Sequence, residues 1–432
     1  MTDPLTDLDI NVDVDLTVQE ILLAASQHDI PKLRRLIRAN DKDGNAANVK
    51  DPETGLSPLH AAVAACEPEE RHTETNGVNG QTNGDSASAS TELEHGQEQK
   101  SIVQSGAETV RFLLQEGAIW NDLDLNDETP GCLARRLGLS ELYEMLVDAG
   151  VRAELLLNRL DGYEQLSDEE DEEETGQDEG PATEEDQDQD QAPELVETTT
   201  ATGSAAEAST AGPDVTSSRY LESDLTFTND RLLDQDQNGV MMAWETEIMC
   251  KSAKKLLPST GLRVLNIGHG MGIVDNFIQD QSPSAHHIVE AHPAVVAEMK
   301  RKGWAEKPGV VIHEGRWQDI LPALVAQGET FDAIYYDTFA ESYADFREFF
   351  SEHVIGLLEQ EGRWGFFNGM GADRQISYDV YQKVVEMELF EAGFDVEWEE
   401  IKVPKLEGEW TGVRRPYWVV DNYRLPLCKF MD

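Results

Sequence analysis

Residues Arg263-Val-Leu-Asn-Ile-Gly-His-Gly-Met-Gly-Ile-Val274 carry the reading of the fold. Val264 to Ile267 is a short apolar run of the kind that forms a buried strand. Gly268, Gly270 and Gly272 follow at once. Glycine lets a backbone turn sharply and lets a ligand approach it closely. About 20 residues beyond Gly270, a second strand-like run, His287-Ile-Val-Glu290, ends in a carboxylate able to accept hydrogen bonds from ribose hydroxyls. Glycines alone would fit any tight strand-to-helix turn. With a strand before them and Glu290 at this distance, they fit a nucleotide-binding βαβ unit.

Working outward, the chain reads as globular from about Tyr220 to its end. Short apolar runs at residues 264–267, 287–290, 310–313, 333–336 and 364–367 alternate with helical segments, the pattern of a doubly wound α/β sheet. Residues 395–403 and 417–423 are β-rich and are expected to close the sheet with an antiparallel hairpin. Ligands of such sheets sit at the carboxyl ends of the strands. The glycines, Glu290, Gly315-Arg-Trp-Gln318 and Asp337-Thr338 all fall there.

Upstream the pattern changes. Residues 17–40 read as two helices, the second opened by Ile30-Pro31. Asp51-Pro-Glu-Thr-Gly-Leu-Ser-Pro-Leu-His-Ala-Ala-Val63 resembles an ankyrin repeat, and Thr129-Pro-Gly-Cys-Leu-Ala134 a degenerate copy. Ser57 and Thr129 are roughly 72 positions apart, one period of about 33 residues plus an insertion of about 39. Residues 67–104 match that insertion: rich in Gly, Asn, Ser, Thr, Glu and Gln without an apolar period, they are expected to be a disordered loop. The runs ending at Gly117-Ala118 and Gly150 read as second helices with closing loops. Two to three repeats are therefore expected in residues 17–160, exposing a concave protein-binding surface. Residues 163–216 begin with an acidic run from Asp168 and continue in Thr, Ala, Ser and Gly. Self-repulsion and low hydrophobicity make them a solvated linker. Residues 217–432 form the second domain, and a fragment starting near Asp214 is expected to fold alone.

The net charge of −51 argues against binding a phosphate backbone, which needs clustered Lys and Arg, and suits a basic protein partner. Four scattered cysteines without a Cys-x-x-Cys pair indicate neither zinc site nor disulfide scaffold. The start of the chain lacks an apolar signal core, and no apolar run approaches the ~20 residues that span a bilayer. An intracellular, soluble chain with no membrane and no nucleic-acid partner is expected. His269, His286, His287 and His292 lack partners at ligand spacing, so no metal is expected.

Met241-Met-Ala-Trp-Glu-Thr246, the Ile-Gly-His-Gly-Met-Gly-Ile run to Ile273, Val289-Glu290, Gly315-Arg-Trp-Gln-Asp319 and Tyr336-Asp-Thr338 resemble, in this order, the signatures of the S-adenosylmethionine-dependent guanidino methyltransferases, guanidinoacetate methyltransferase among them. With the ankyrin-like part and acidic linker, the whole chain resembles the fungal type IV protein arginine methyltransferases, which methylate the internal δ nitrogen of arginine. The resemblance covers about half the chain strongly and the ankyrin part loosely. It implies a class I, Rossmann-like methyltransferase domain and S-adenosyl-L-methionine as cofactor. It also implies a monomer acting in cytoplasm and nucleus on a protein substrate, ribosomal proteins among the candidates, docked by the ankyrin-like region. Tyr220, Met241 and Met249 would cover the cofactor. Gly268, His269, Gly270, Met271, Gly272 and Ile273 would line its methionine moiety, and Glu290 would hold the ribose. Trp317 and Gln318 would contact adenine, the indole by stacking, and Asp337 would border the cofactor. Ala291 and His292 follow Glu290 where the small-molecule enzymes have a different sequence, a departure on the adenine side.

The chemistry agrees. Methyl transfer from a sulfonium is an in-line displacement, so donor and acceptor must be aligned. A guanidinium has a pKa above 12 and delocalises its lone pair. Two carboxylates can bind its N–H fork and draw positive charge from the reacting nitrogen. Glu245 and Asp337 are the candidates. Three alternatives are a dinucleotide-dependent oxidoreductase, an enzyme for a small guanidino acid, and an ankyrin scaffold with an inactive domain. The displaced third glycine, the array and the intact Glu245 and Asp337 speak against them in turn.

Overall fold

The computed structural model describes residues 6–40, 45–68, 87–164 and 215–431. The acidic stretch at 165–214 and residues 69–86 of the expected insertion lie outside them.

The sheet has seven strands: β4 (Arg263–Ile267), β5 (Ala285–Glu290), β6 (Val310–Glu314), β7 (Phe331–Tyr336), β8 (Leu358–Phe366), β9 (Phe394–Lys402) and β10 (Asn422–Phe430), in the order β6-β5-β4-β7-β8-β10-β9. The first five in that order are parallel, and β10 lies antiparallel between β8 and β9. Val264, Leu265 and Ile267 are fully or almost fully buried, as expected for a parallel strand covered on both faces. Helices α8 (Thr246–Leu256), α9 (Ile273–Asp280), α10 (Pro293–Arg301), α11 (Trp317–Ala326), α12 (Tyr343–Glu348), α13 (Val354–Leu357) and α14 (Gln375–Glu391) connect or cover the strands. This is the class I methyltransferase arrangement, Rossmann-like with a terminal hairpin. A helical turn, α7 (Ser217–Leu221), precedes a small antiparallel sheet of β1 (Thr226–Phe227), β2 (Arg231–Leu233) and β3 (Gly239–Met242).

The last strand differs from expectation. Residues 417–421 are not a strand; pairing with β9 starts at Asn422 and runs to Phe430. Leu425-Pro-Leu427 reads poorly as a strand because proline lacks an N–H. Pro426 is accommodated because recorded pairing with β8 is confined to Cys428 and Trp364.

The N-terminal part consists of helices α1 (Thr6–Ser26), α2 (Ile30–Asn40), α3 (Pro58–Ala64), α4 (Ala87–Gln115), α5 (Pro130–Arg136) and α6 (Ser140–Glu164). α1, α3 and α5 pack in succession, and α4 packs on α6. Both expected Pro-led starts are helix starts, at Pro58 and Pro130. Thr129 caps α5 by accepting from the Cys132 N–H, the usual service of a threonine there. His60 accepts from the Ser57 N–H and donates to Glu128 O. The start of α3 is thereby tied to the turn before α5. The turns themselves touch: Leu125 N donates to Thr54 O, and a Cβ on Gly55 would lie 2.7 Å from Leu125 N.

Two expectations fail here. Residues 87–104 are helical, extending α4 well before Thr109. No apolar period marks this stretch in the sequence, but the run Thr91-Glu-Leu-Glu-His-Gly-Gln-Glu-Gln-Lys100 is rich in good helix formers. Gly150 does not end a helix; α6 continues to Glu164. Gly117, by contrast, has φ +87° and open space around its Cβ position, and it does end one.

Residues 217–432 are packed against the helical part. α6 packs along α14, and one hydrophobic core runs through both. A Cβ on Gly131 would lie 1.8 Å from Ile376 Cδ1, and one on Gly150 would lie 2.7 Å from Val380 Cγ2. Tyr143 donates to Asp379 at 2.6 Å, Tyr381 to Glu154 at 3.1 Å, and Lys383 pairs with Asp148 at 3.1 Å. A fragment lacking the helical part would leave this face of α14 to water.

Candidate active site

The carboxyl ends of β4, β5 and β7 open into a cleft bordered by the α7 segment and β3. Of the expected residues, Tyr220, Met241, Gly268, Gly270, Glu290, Ala291, Trp317 and Asp337 line it. The glycines are there for space. A Cβ on Gly268 (φ +92°) would fall 1.8 Å from Asp337 O, and one on Gly270 would fall 2.7 Å from Met241 Cε.

Glu290 organises the loop. Its Oε2 accepts from His269 N at 2.9 Å and Gly270 N at 3.4 Å, and its Oε1 from His292 N at 2.7 Å. A carboxylate offers about four lone-pair sites, so capacity remains on the cleft side. Met241 adds a contact of its own, its sulfur accepting from Met271 N at 3.2 Å.

Other expected residues stand behind the cleft. Met249 is fully buried on the inner side of α8, within the core. The His269 ring turns away and gives its Nδ1 to Asp275 Oδ2 at 2.6 Å; Asp275 Oδ1 accepts from His286 Nε2 at 2.9 Å and Asn266 Nδ2 at 2.8 Å. Burial works to raise the Asp275 pKa, but His269 and His286 overcome it and hold the group at about 2. Gly272 (φ +77°) passes so close to the His269 ring that a Cβ would lie 2.7 Å from it, and Ile273 begins α9. The His292 ring faces the protein. Its Nδ1 accepts from Ala294 N, capping α10, and its Nε2 donates to the carbonyls of Tyr220 and Ser223. It thereby fastens the Tyr220 segment beside the cleft. Trp317 is 2% exposed, in edge contact with Tyr336, Phe349 and His353. Its indole N–H is taken by Glu341 at 2.8 Å, and only a small part of the ring reaches the cleft it borders.

Sequence reading missed Glu341, which also receives Tyr336 O–H and Gln318 Nε2. Only its place four residues after Asp337 could have suggested it. Among the buried oxygens without a partner in the described residues are Gln318 Oε1 and Asp337 Oδ2. Buried acceptors are rarely left so, and both lie beside the cleft.

Glu245 stands just before α8, 4% exposed, and is not among the residues lining the cleft. Burial first, and then the charge of Asp337, push its pKa well above the carboxylate range, against the pull of a hydrogen bond from Tyr417. Burial, with the Asp275 charge adding to it, pushes Asp337 up to about 8. The two carboxyl groups therefore lie within electrostatic reach of one another in a poorly solvated region.

The sequence model of the guanidinoacetate N-methyltransferase family matches residues 212–408. Over the full length of both chains, the sequence is 84% identical to a protein arginine N-methyltransferase 2 of Aspergillus fumigatus and 72% identical to one of Emericella nidulans. A Gibberella zeae protein of that name is 44% identical, over 96% of this chain and 92% of its own. The chain belongs to this fungal arginine methyltransferase family. The match to the guanidino enzymes covers the cleft, Glu245 and Asp337, and stops short of Tyr417. The longer relatives extend the likeness through the helical part.

Proposed function

We propose that the chain transfers a methyl group from S-adenosyl-L-methionine to the δ nitrogen of an arginine side chain in a protein, with Glu245 and Asp337 as the acceptor carboxylates. The observation that carries this reading is the pair itself: Asp337, which lines the glycine-lined cleft, and Glu245, buried within reach of its charge.

The cleft fits the cofactor. Its glycines leave no room for a Cβ where loop and ligand must approach, Glu290 faces ribose-type hydroxyls, and Gln318 Oε1 and Asp337 Oδ2 await donors. When bound, S-adenosylmethionine supplies a methyl group activated by a sulfonium centre. Tyr220 and Met241 border that group, and Gln318 receives the adenine amine. Asp337 and Glu245 bind the guanidinium fork and offset the repulsion between two cations, about 4 kcal/mol for unit charges ~4 Å apart at an effective dielectric near 20. The orientation they impose selects the nitrogen that faces the methyl group.

The helical part fits an ankyrin-like array, with turns stacked on turns through Thr54–Leu125 and His60–Glu128. In this reading residues 17–160 hold the protein substrate and residues 217–432 methylate it. The α6–α14 seam keeps the distance between the two tasks constant.

Glu245→Gln and Asp337→Asn test the assignment, since each keeps shape and removes charge. Each should lower methyl transfer about a hundredfold or more, the scale of one preorganised electrostatic contact, while calorimetry shows cofactor affinity nearly unchanged. Near-normal turnover in both would end the carboxylate reading. Fragmentation of the methylated product in a mass spectrometer decides the nitrogen: an ω-methylarginine pattern would refute the δ assignment.

A further inference from the structure

Glu245 has a partner from a distant part of the chain. The connection between β9 and β10, residues 403–421, folds back over the small sheet. Arg231 Nη1 donates to Thr411 O at 2.8 Å and Arg414 N to Gln237 O at 2.8 Å. Val419 N donates to Ala372 O at 2.8 Å and fixes the other end. Between these anchors the Tyr417 phenol donates to Glu245 and accepts from Trp244 Nε1 at 3.1 Å. A Cβ on Gly239 would lie 2.8 Å from the Tyr417 ring, so the fit of this ring depends on a glycine in β3. Three half-buried rings gather there: Trp410 lies 4.9 Å from Tyr417 at 76°, and Trp244 lies 6.0 Å from Tyr417 at 37°.

We propose that this connection is the arginine-selecting wall of the active site, with Tyr417 positioning Glu245 and the rings of Trp410 and Trp244 receiving the cationic side chain. The inference rests on the reading of Glu245 as an acceptor carboxylate. Both hydrogen-bonding roles of the Tyr417 hydroxyl are fixed, one by an indole that can only donate and one by a carboxyl group. It therefore holds Glu245 in one orientation and occupies one of its lone pairs, leaving others for guanidinium N–H groups. A planar guanidinium is weakly hydrated and packs on aromatic faces, which a compact ammonium does less well. The wall thus favours arginine over lysine beside the buried Glu245 carboxyl group. Trp410 and Tyr417 lie beyond residue 408, where the match to the guanidinoacetate enzymes stops. Two of the three rings, Trp410 and Tyr417, therefore lie outside the matched residues, while Trp244 and Glu245 lie within them.

The test uses the full-length enzyme with radiolabelled S-adenosylmethionine and, as acceptor, the proteins of a fungal extract lacking this enzyme. Rates measured against extract concentration separate kcat from apparent KM. Tyr417→Phe removes only the hydroxyl and should lower kcat at least about tenfold with apparent KM within about twofold. Trp410→Leu should raise apparent KM about fivefold or more at similar kcat, and Trp410→Phe should restore most of it. Calorimetric cofactor affinity should be unchanged in all three, a readout that general loosening of the fold would move. Kinetic constants of Tyr417→Phe and Trp410→Leu both within about twofold of wild type would overturn the proposal, as would a common loss of cofactor affinity. Glu245→Gln measured alongside separates the two readings. If it is inactive while Tyr417→Phe is normal, only the wall fails; if it is fully active, the carboxylate reading itself fails.

Discussion

Replacing Gly150 by alanine probes whether the helical array and the catalytic domain are one packed body. Gly150 lies inside α6, where alanine is worth up to about 1 kcal/mol over glycine through backbone entropy. Against this, the new Cβ would sit 2.7 Å from Val380 Cγ2 and 3.0 Å from the Trp120 ring. Val380 is fully buried on α14 and Trp120 is 6% exposed, and a β-branched side chain has few rotamers into which to retreat. Overpacking of this kind costs about 1–3 kcal/mol. The overpacking term wins, so Gly150→Ala should destabilise by about 1 kcal/mol, or roughly 1–2 °C in Tm for a body of this size. Val380→Ala should cost about 2 kcal/mol alone, from two lost methyl groups and a small cavity. Combined, the two should cost at least about 1 kcal/mol less than their sum, because the second removes the atom that the first strikes. Denaturant unfolding followed by circular dichroism on all four proteins completes the cycle. Stabilisation by Gly150→Ala with zero coupling to Val380 would show that α6 does not close on α14, and the fixed geometry between array and active site would fall with it.

Glu290→Gln should weaken cofactor binding by about 1.5–3 kcal/mol, since a charged acceptor for two loop amides and for the ligand becomes a neutral one; a dissociation constant within twofold of wild type would remove Glu290 from the site. For the ligand-free enzyme, kcat/KM for the acceptor should rise with pH through about 8 as Asp337 ionises, and Asp337→Asn should flatten the profile. The same group's folded pKa lies above its unfolded value, so its contribution to stability is full below about 4 and is lost as pH rises through about 8. Thermal melts from pH 6 to 9 should therefore decline more steeply for wild type than for Asp337→Asn. Asp275 has the opposite sign: its depressed pKa gives stability above about 4 that fades as pH falls toward about 2. Asp275→Asn should thus cost about 1–3 kcal/mol at pH 7, with the difference from wild type narrowing in acid.

What could be read in advance was local. Val264 to Ile267, the glycines and Glu290 lie within one βαβ unit, and spacing along the chain stands in for distance. Asp337 was legible as the first residue after an apolar strand, and Pro58 and Pro130 as helix starts behind Ser57 and Thr129. Gly150 and Gly117 carry the same signal in sequence and do opposite things. One stops a helix in open space, while the other sits mid-helix because Trp120 and Val380 press against it, and α14 is more than 200 residues away. The start of α4 was hidden because residues 87–104 carry no apolar period in the sequence. Glu245 shows the limit most clearly. Its neighbours Trp244 and Thr246 identify it, but its burial and orientation depend on Tyr417, 172 positions later, in a stretch that reads as ordinary strand. A motif names the group that does chemistry. The partner that holds such a group comes from wherever the fold returns, so substitutions in residues 403–421 should alter acceptor kinetics although no signature residue lies among them.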